Sequence, residues 1–226
     1  LDGHVYTTNV TTKLIHRIAE DFNQKVVTTL TGFKFIGEQA EIYHNKNPYL
    51  FGAEESYGSL IADFVRDKDA VQAVYMLAEI TNHIKMQDKT LIDYLDEVYH
   101  IYGAYYEYTH AFTLEGAQGV KMIKKIVDYF RHNPPKIDLN LISYDDILNG
   151  ITVKDGIKEK TRLPRLDVMR YEYEDDTWIV FRPSGTEPKL KVYFGTKKKT
   201  IEEAKNNLQQ LDQKIFMEIN KIKEML

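Results

Sequence analysis

Arg182-Pro183-Ser184-Gly185-Thr186-Glu187-Pro188-Lys189 is the stretch on which the reading of this chain turns. It lies between Thr177-Trp178-Ile179-Val180-Phe181 and Leu190-Lys191-Val192-Tyr193-Phe194, two segments rich in β-branched and aromatic residues that read as strands. Arg182 offers a planar fork that can hold a phosphate bidentately, and Ser184 and Thr186 offer hydroxyls. Gly185 lets backbone N–H groups approach a ligand, while Pro183 and Pro188 fix φ on either side. The eight residues fit a pre-shaped anion cradle. They fit a plain hairpin turn equally well, because Ser-Gly is ordinary turn chemistry and an Arg at a strand end is commonly solvated.

Composition frames what such a turn can belong to. The chain has 226 residues, 43% hydrophobic and 28% charged, enough for one large domain or two ordinary ones. It has no cysteine, so a disulfide framework and a thiolate metal site are excluded. There is no signal-peptide pattern and no long apolar run, so the expectation is a cytoplasmic protein without membrane contact. A net charge of −4 argues against nucleic acid as the main partner, and a phosphate site has to be a local basic pocket. The opening Leu1-Asp2-Gly3 lacks an initiating Met, which points to a fragment, although a processed or tagged chain opens the same way.

Working outward, the first part alternates strands and helices. His4 to Thr8, Val26 to Leu30 and Tyr49 to Phe51 read as strands, separated by helices carrying Leu14, Ile15, Ile18 and Phe22, then Phe33, Ile36 and Ala40, on one face. That order predicts a parallel sheet with crossover helices. Two further helices follow, Asp69 to about Gln87 with Val71, Val74, Tyr75 and Ala78, and Leu91 to Tyr102 stopped by Gly103. Tyr105 to Thr113 alternates as a strand, and Gly116 to Arg131 is a helix with Val120, Ile123, Ile126, Val127 and Phe130 inward. Asn133-Pro134-Pro135 breaks the pattern and is taken as the domain boundary. Short strands then cluster near 151–158, 167–173, 177–182 and 189–194, and a helix from Ile201 repeats apolar residues at three- and four-residue steps. The expected fold is α/β: a βαβ-type three-layer domain over 1–133, then a smaller α+β domain over 134–226 with helices packed on an antiparallel sheet.

The third strand runs into Gly52-Ala53-Glu54-Glu55-Ser56-Tyr57-Gly58. Beyond the C-terminal ends of parallel strands is where ligands collect, and carboxylates accept hydrogen bonds from vicinal sugar hydroxyls. Alone, the Glu pair is better explained as charge at a helix N-terminus. Read together with Arg182 to Lys189, however, the stretch resembles the α-D-phosphohexomutase superfamily. Arg-Pro-Ser-Gly-Thr-Glu-Pro-Lys is similar to the phosphate loop of that family's fourth domain, and Gly-x-Glu-Glu-Ser-Tyr-Gly to the sugar loop of its third. Leu30-Thr31-Gly32-Phe33-Lys34 and Arg66-Asp67-Lys68-Asp69 resemble two further segments, in the family's order. The glucose-type form of the sugar loop and Tyr99 to Gly103 resemble bacterial-type α-phosphoglucomutases.

The resemblance implies sugar-binding by Glu54, Ser56, Gly32 and Lys34, and phosphate-binding by Arg182, Ser184, Gly185 and Thr186. It implies possible electrostatic support from Arg66, Lys68 and Lys189. The family's phosphoserine, and its Mg²⁺ loop of Asp-Gly-Asp-x-Asp-Arg form, have no counterpart here; Asp145-Asp146 and Asp175-Asp176 are adjacent pairs read as loop residues without the spacing. The expectation is therefore the C-terminal half of a phosphoglucomutase, an isomerase of carbohydrate metabolism, with no catalytic residue and no metal ligand of its own. Mg²⁺ and a sugar bisphosphate belong to the full-length parent, and the partners are a sugar phosphate and the missing N-terminal half. A phosphopentomutase or phosphomannomutase fragment, or a stand-alone non-catalytic sugar-phosphate-binding module, are the alternatives.

Overall fold

The structure is a computed structural model that describes residues 3–185 and 187–225. The chain divides into two compact units, Leu1–Ala104 and Tyr105–Leu226.

In the first unit, β1 (His4–Thr8), α1 (Leu14–Asp21), β2 (Lys25–Thr29), α2 (Phe33–Tyr43) and β3 (Tyr49–Ala53) alternate as the sequence pattern requires. They are followed by β4 (Ser59–Leu60), α3 (Ala70–Lys85) and α4 (Leu91–Tyr102). The sheet order is β2-β1-β3-β4, with β1 parallel to both β2 and β3 and β4 antiparallel to β3. The crossover from β1 to β2 and that from β2 to β3 run in opposite directions across the sheet. Right-handed connections then place α1 and α2 on opposite faces. The α2 face is held by Phe33, Ile36 and Ala40 against Tyr6 and Leu60, with Tyr6 and Tyr49 stacked at 5.2 Å. Asp69 caps α3 by accepting from the Val71 and Gln72 amides, and Thr90 with Asp93 forms a capping box on α4.

The second unit contains β5 (Ala104–Thr113), α5 (Gly116–His132), β6 (Leu141–Asp146), β7 (Ile151–Lys154), β8 (Ile157–Lys160), β9 (Met169–Tyr173), β10 (Trp178–Pro183), β11 (Lys189–Lys198) and α6 (Ile201–Met225). Its seven-stranded sheet has the order β5-β11-β10-β9-β6-β7-β8. The pairs from β11 through β10, β9, β6 and β7 to β8 are antiparallel. Strand alternation puts Met169, Tyr171, Tyr173, Ile179, Phe181, Leu190, Val192 and Phe194 into one core with α5 and α6. The opposite face carries Trp178, which lies under the Arg170 guanidinium at 5.1 Å. Gly195 backs onto that indole, where any Cβ would collide with the ring.

The expected boundary at 133/134 is therefore corrected. β5 is an edge strand of the second sheet, and Ile123, Ile126, Val127 and Phe130 of α5 lie in the second core, with Phe130 stacked on Phe181 at 4.2 Å. Pro134-Pro135 ends α5 without leaving that core, because the Tyr173 hydroxyl donates to the Pro135 carbonyl at 2.7 Å. The second unit is the longer of the two, not the smaller. Other differences are local. The expected strand at 151–158 is two strands joined by Asp155-Gly156, both at positive φ, as a tight hairpin turn demands. Asp145 and Asp146 stand in β6 rather than a loop. Val120, Phe22, Val71, Val74 and Tyr75 are exposed, since periodicity marks an apolar face without saying that anything covers it.

One buried ionic cluster holds α5 to the sheet. The Arg131 guanidinium, 10% exposed, meets Asp146 at 3.2 Å and Asp167 at 2.5 Å, and Asp128 on its own helix at 3.1 Å. Removing the cation would leave the Asp146 carboxylate buried without a counter-charge, held by the Asn149 hydrogen bonds. Arg131→Ala is expected to lower stability by about 3–5 kcal/mol in urea unfolding; an unchanged midpoint would mean that water already solvates the cluster.

Candidate functional site

Because β1, β2 and β3 are parallel, the segments that follow them emerge at one edge of the first sheet. These are the connections bearing Thr11, Gly32 and the turn Glu54 to Gly58. That turn closes the β3–β4 hairpin, with the Glu54 amide donating to the Gly58 carbonyl at 2.9 Å. Tyr57 sits at its tip, fully exposed and at φ 66, a left-handed conformation that costs a non-glycine residue energy. Gly58 is closely approached: a Cβ there would stand 2.6 Å from Glu54 Oε1 and 2.8 Å from Lys68 Cδ, so one of those side chains would have to shift.

The two glutamates of the turn differ sharply. Glu54 is 9% exposed, and among the described residues no donor is paired with its carboxylate. Its acceptor capacity is thus available to a ligand hydroxyl. Glu55 accepts from the hydroxyls of Thr8, Thr11 and Thr31. Ser56 is exposed on the following position. Sequence reasoning passed over Glu55, Thr8 and Thr11; the signal was the paired carboxylate together with threonines at the ends of successive strands.

Around the turn, Gly32 takes φ 116 at the N-cap of α2, and Phe33 behind it is buried in the core. Lys34 is exposed, with its ammonium 4.8 Å from the centre of the Phe35 ring. Lys68 has its stem beside Gly58 and its ammonium 3.1 Å from Asp67. That bond holds the exposed Asp67 carboxyl below its ordinary value. Arg66 is differently employed. Its Nε and Nη2 donate to Glu41 at 2.8 and 2.7 Å, and its Nη1 donates to the Asp63 carbonyl. The guanidinium fastens α2 to the 61–69 segment.

In the second unit the Arg182 to Lys189 stretch is a hairpin loop between β10 and β11, closed after the Pro183–Leu190 pair by the Ser184 amide donating to the Lys189 carbonyl at 2.8 Å. Alternation decides where Arg182 stands. Phe181 and Val192 face the core, so Arg182 emerges on the opposite face with Lys191 and Tyr193, and its Nη1 donates to the Tyr193 hydroxyl at 3.1 Å. The Ser184 hydroxyl accepts from the Glu187 amide at 3.3 Å. Gly185 is exposed with nothing within 4 Å of where a Cβ would lie. Arg182, Ser184 and Gly185 are therefore gathered on one turn, with a cation, a hydroxyl and an uncovered backbone. Lys189 pairs with Glu187 at 3.2 Å. Thr186 lies outside the described residues.

Among the described residues no group of three or more His, Asp or Glu side chains is arranged to hold a metal ion. Asp146 is occupied by Arg131, Asp175 by Lys198 at 3.1 Å, and Asp176 by the Tyr105 hydroxyl at 3.0 Å. The Mg²⁺ that the resemblance implies finds no fitting ligand set among the described residues.

Comparison with known proteins agrees with the two-unit division. A family model described as "Phosphoglucomutase/phosphomannomutase, alpha/beta/alpha domain III" matches residues 1–102. A second, "Phosphoglucomutase/phosphomannomutase, C-terminal domain", matches residues 149–211. A curated phosphoglucomutase of Staphylococcus aureus (strain MRSA252) is 35% identical over 192 residues, covering 83% of this chain and 35% of the relative. The chain thus spans about a third of the length of the curated relatives it matches. Among solved structures, parafusin, a phosphoglucomutase from Paramecium, superposes with a TM-score of 0.65 at 20% identity, covering 98% of this chain and 38% of that one. A phosphoglucomutase/phosphomannomutase family protein from Burkholderia thailandensis superposes with a TM-score of 0.54 at 15% identity, covering 95% and 37%. These two likenesses concern the fold.

The tight contact at Gly58 is open to test. Gly58→Ala is expected to lower stability by about 1–3 kcal/mol in urea unfolding and to shift the resonances of residues 54–58. An unaltered midpoint and spectrum would show that Glu54 and Lys68 yield freely.

Proposed function

The chain belongs to the phosphoglucomutase/phosphomannomutase family, and on that premise we propose that it is the substrate-recognition part of a phosphoglucomutase that interconverts glucose 1-phosphate and glucose 6-phosphate. The observation that carries this reading is Glu54. A buried carboxylate that takes no donor among the described residues, in a turn at the C-terminal edge of a parallel sheet, is matched by the vicinal hydroxyls of a sugar. Glu54 and Ser56 read ring hydroxyls, with Gly32 and Lys34 beside them. Arg182, Ser184, Gly185 and Thr186 hold the phosphate that does not react. Lys68 and Lys189 add positive charge, and Arg66 acts by keeping α2 in place.

The reaction itself belongs to the longer polypeptide. There a phosphoserine would pass its phosphoryl group to a hexose monophosphate, and the resulting sugar bisphosphate would turn over before the other phosphoryl group returns to the serine. Phosphoryl transfer depends chiefly on positioning and on electrostatic stabilisation, and this chain's share is positioning. Its partners are then the sugar phosphate and the remainder of the enzyme. Among the described residues no helix is long and apolar enough to cross a membrane, and the proposed location is the cytoplasm.

Arg182→Ala removes charge-assisted hydrogen bonds worth about 1.5–3 kcal/mol each, so sugar-phosphate affinity should fall at least about tenfold. Lys189→Ala, whose ammonium already pairs with Glu187, should matter less. Equal calorimetric affinities for wild type and Arg182→Ala would remove the phosphate assignment. The isolated chain should show no mutase turnover in a coupled assay, and Glu54→Ala should depress whatever turnover is recovered on mixing with the missing part. Sustained turnover by the pure chain would relocate the chemistry into it.

A further inference from the structure

Glu55 has no part in the recognition roles above, yet it is the most heavily bonded side chain of the turn. Thr8 Oγ1 donates to its Oε2 at 2.9 Å, Thr11 Oγ1 reaches the same oxygen at 3.4 Å, and Thr31 Oγ1 donates to Oε1. Thr8 ends β1, Thr11 lies in the connection after it, and Thr31 lies in the connection after β2. Glu55 itself follows β3. One carboxylate therefore ties together the C-terminal ends of three parallel strands. Thr8 and Thr11 are buried, and their hydroxyls are 2.8 Å apart, so the donors are themselves fixed.

The turn needs such a tether. Its own backbone supplies the hydrogen bond from Glu54 to Gly58, Tyr57 is in the left-handed region, and the Tyr57 ring is wholly in solvent. Packing at the exposed tip, Ser56 and Tyr57, therefore does little to fix the turn against the strand ends.

We propose that Glu55 is a positioning residue. It clasps the turn to the strand ends so that Glu54 and Ser56 are presented to the sugar, and it does not touch the sugar itself. This rests on the sugar-phosphate reading above for its purpose, but not for its geometry.

The test has two arms, both on the full chain. In the first, amide hydrogen exchange is measured without ligand on wild type, Glu55→Gln, Thr31→Val and the double variant. The Glu54 amide should exchange at least about tenfold faster in each single variant, since loosening the turn opens its hydrogen bond. The double variant should exchange no faster than the worse single one, because both remove the same interaction. The amides of β1 should be unchanged. Unchanged exchange at Glu54, or an equal rise across the whole unit, overturns the proposal. Thr31→Val keeps the test available if Glu55→Gln does not fold. In the second arm, glucose 1-phosphate and inorganic phosphate are titrated calorimetrically. Both single variants should weaken glucose 1-phosphate about tenfold and leave inorganic phosphate unaffected. Loss in Glu55→Gln with none in Thr31→Val means direct sugar contact and overturns the positioning role. If wild type does not bind glucose 1-phosphate while the exchange effect is present, the sugar-phosphate reading fails and the clasp stands.

Discussion

A hydrogen-bonded carboxylate at the meeting point of three strand ends organises the first unit. Parallel pairing delivers the residues after β1, β2 and β3 to the same edge, although Thr8, Thr31 and Glu55 are far apart in the chain. The convergence of hydroxyls on Glu55 then leaves the adjacent Glu54 as a carboxylate with acceptor capacity to spare. Two neighbouring residues of the same type thus acquire opposite duties from the direction in which the backbone presents them. Gly58 permits this crowding, because a larger residue would displace either the carboxylate or Lys68.

The second unit reaches a comparable end by other means. Its antiparallel ladder divides side chains strictly between two faces. Phe181, Val192 and Phe194 go to a dry core with α5 and α6, and the same alternation sends Arg182 and Tyr193 outward as a diagonal pair. The position of the cation is thereby set by the packing of apolar residues one place away on each strand. A slip of one residue between β10 and β11 would bury the guanidinium and expose the aromatics, so the core enforces the geometry of the turn.

Much of this was legible in the residues. The strand–helix alternation, the apolar stripe of α6 and the presence of turns at Glu54 to Gly58 and Arg182 to Lys189 follow from local periodicity and from turn chemistry, whereas the recognition roles proposed for those turns come from the family resemblance. The end of the first unit did not. Pro134-Pro135 announces the end of a helix, but whether the chain then leaves a core depends on β5 lying beside β11, a pairing between distant segments that local pattern does not encode. β6 was missed because Leu141 to Asp146 ends in two acidic residues, and Asp146 is tolerated there through Arg131 and the Asn149 amides. The clasp was missed for a similar reason: three threonines at strand ends look like β-formers until a carboxylate is brought to them. Chemical type was readable from single residues; roles that depend on which residues meet were not.

The far edge of the second sheet has a bearing on how the molecule behaves when crowded. β8 is four residues long, Ile157–Lys160, and all four are exposed. An outermost strand displays unsatisfied N–H and C=O groups to any neighbouring chain that can extend the ladder. Here the display is brief and carries Lys158, Glu159 and Lys160, so another molecule adding itself along this border would gain few bonds while bringing hydrated ammonium and carboxylate groups into close quarters. The border is thereby a poor template for fibrillar growth, and concentrated solutions of this protein have a built-in obstacle to sheet-by-sheet stacking at that end.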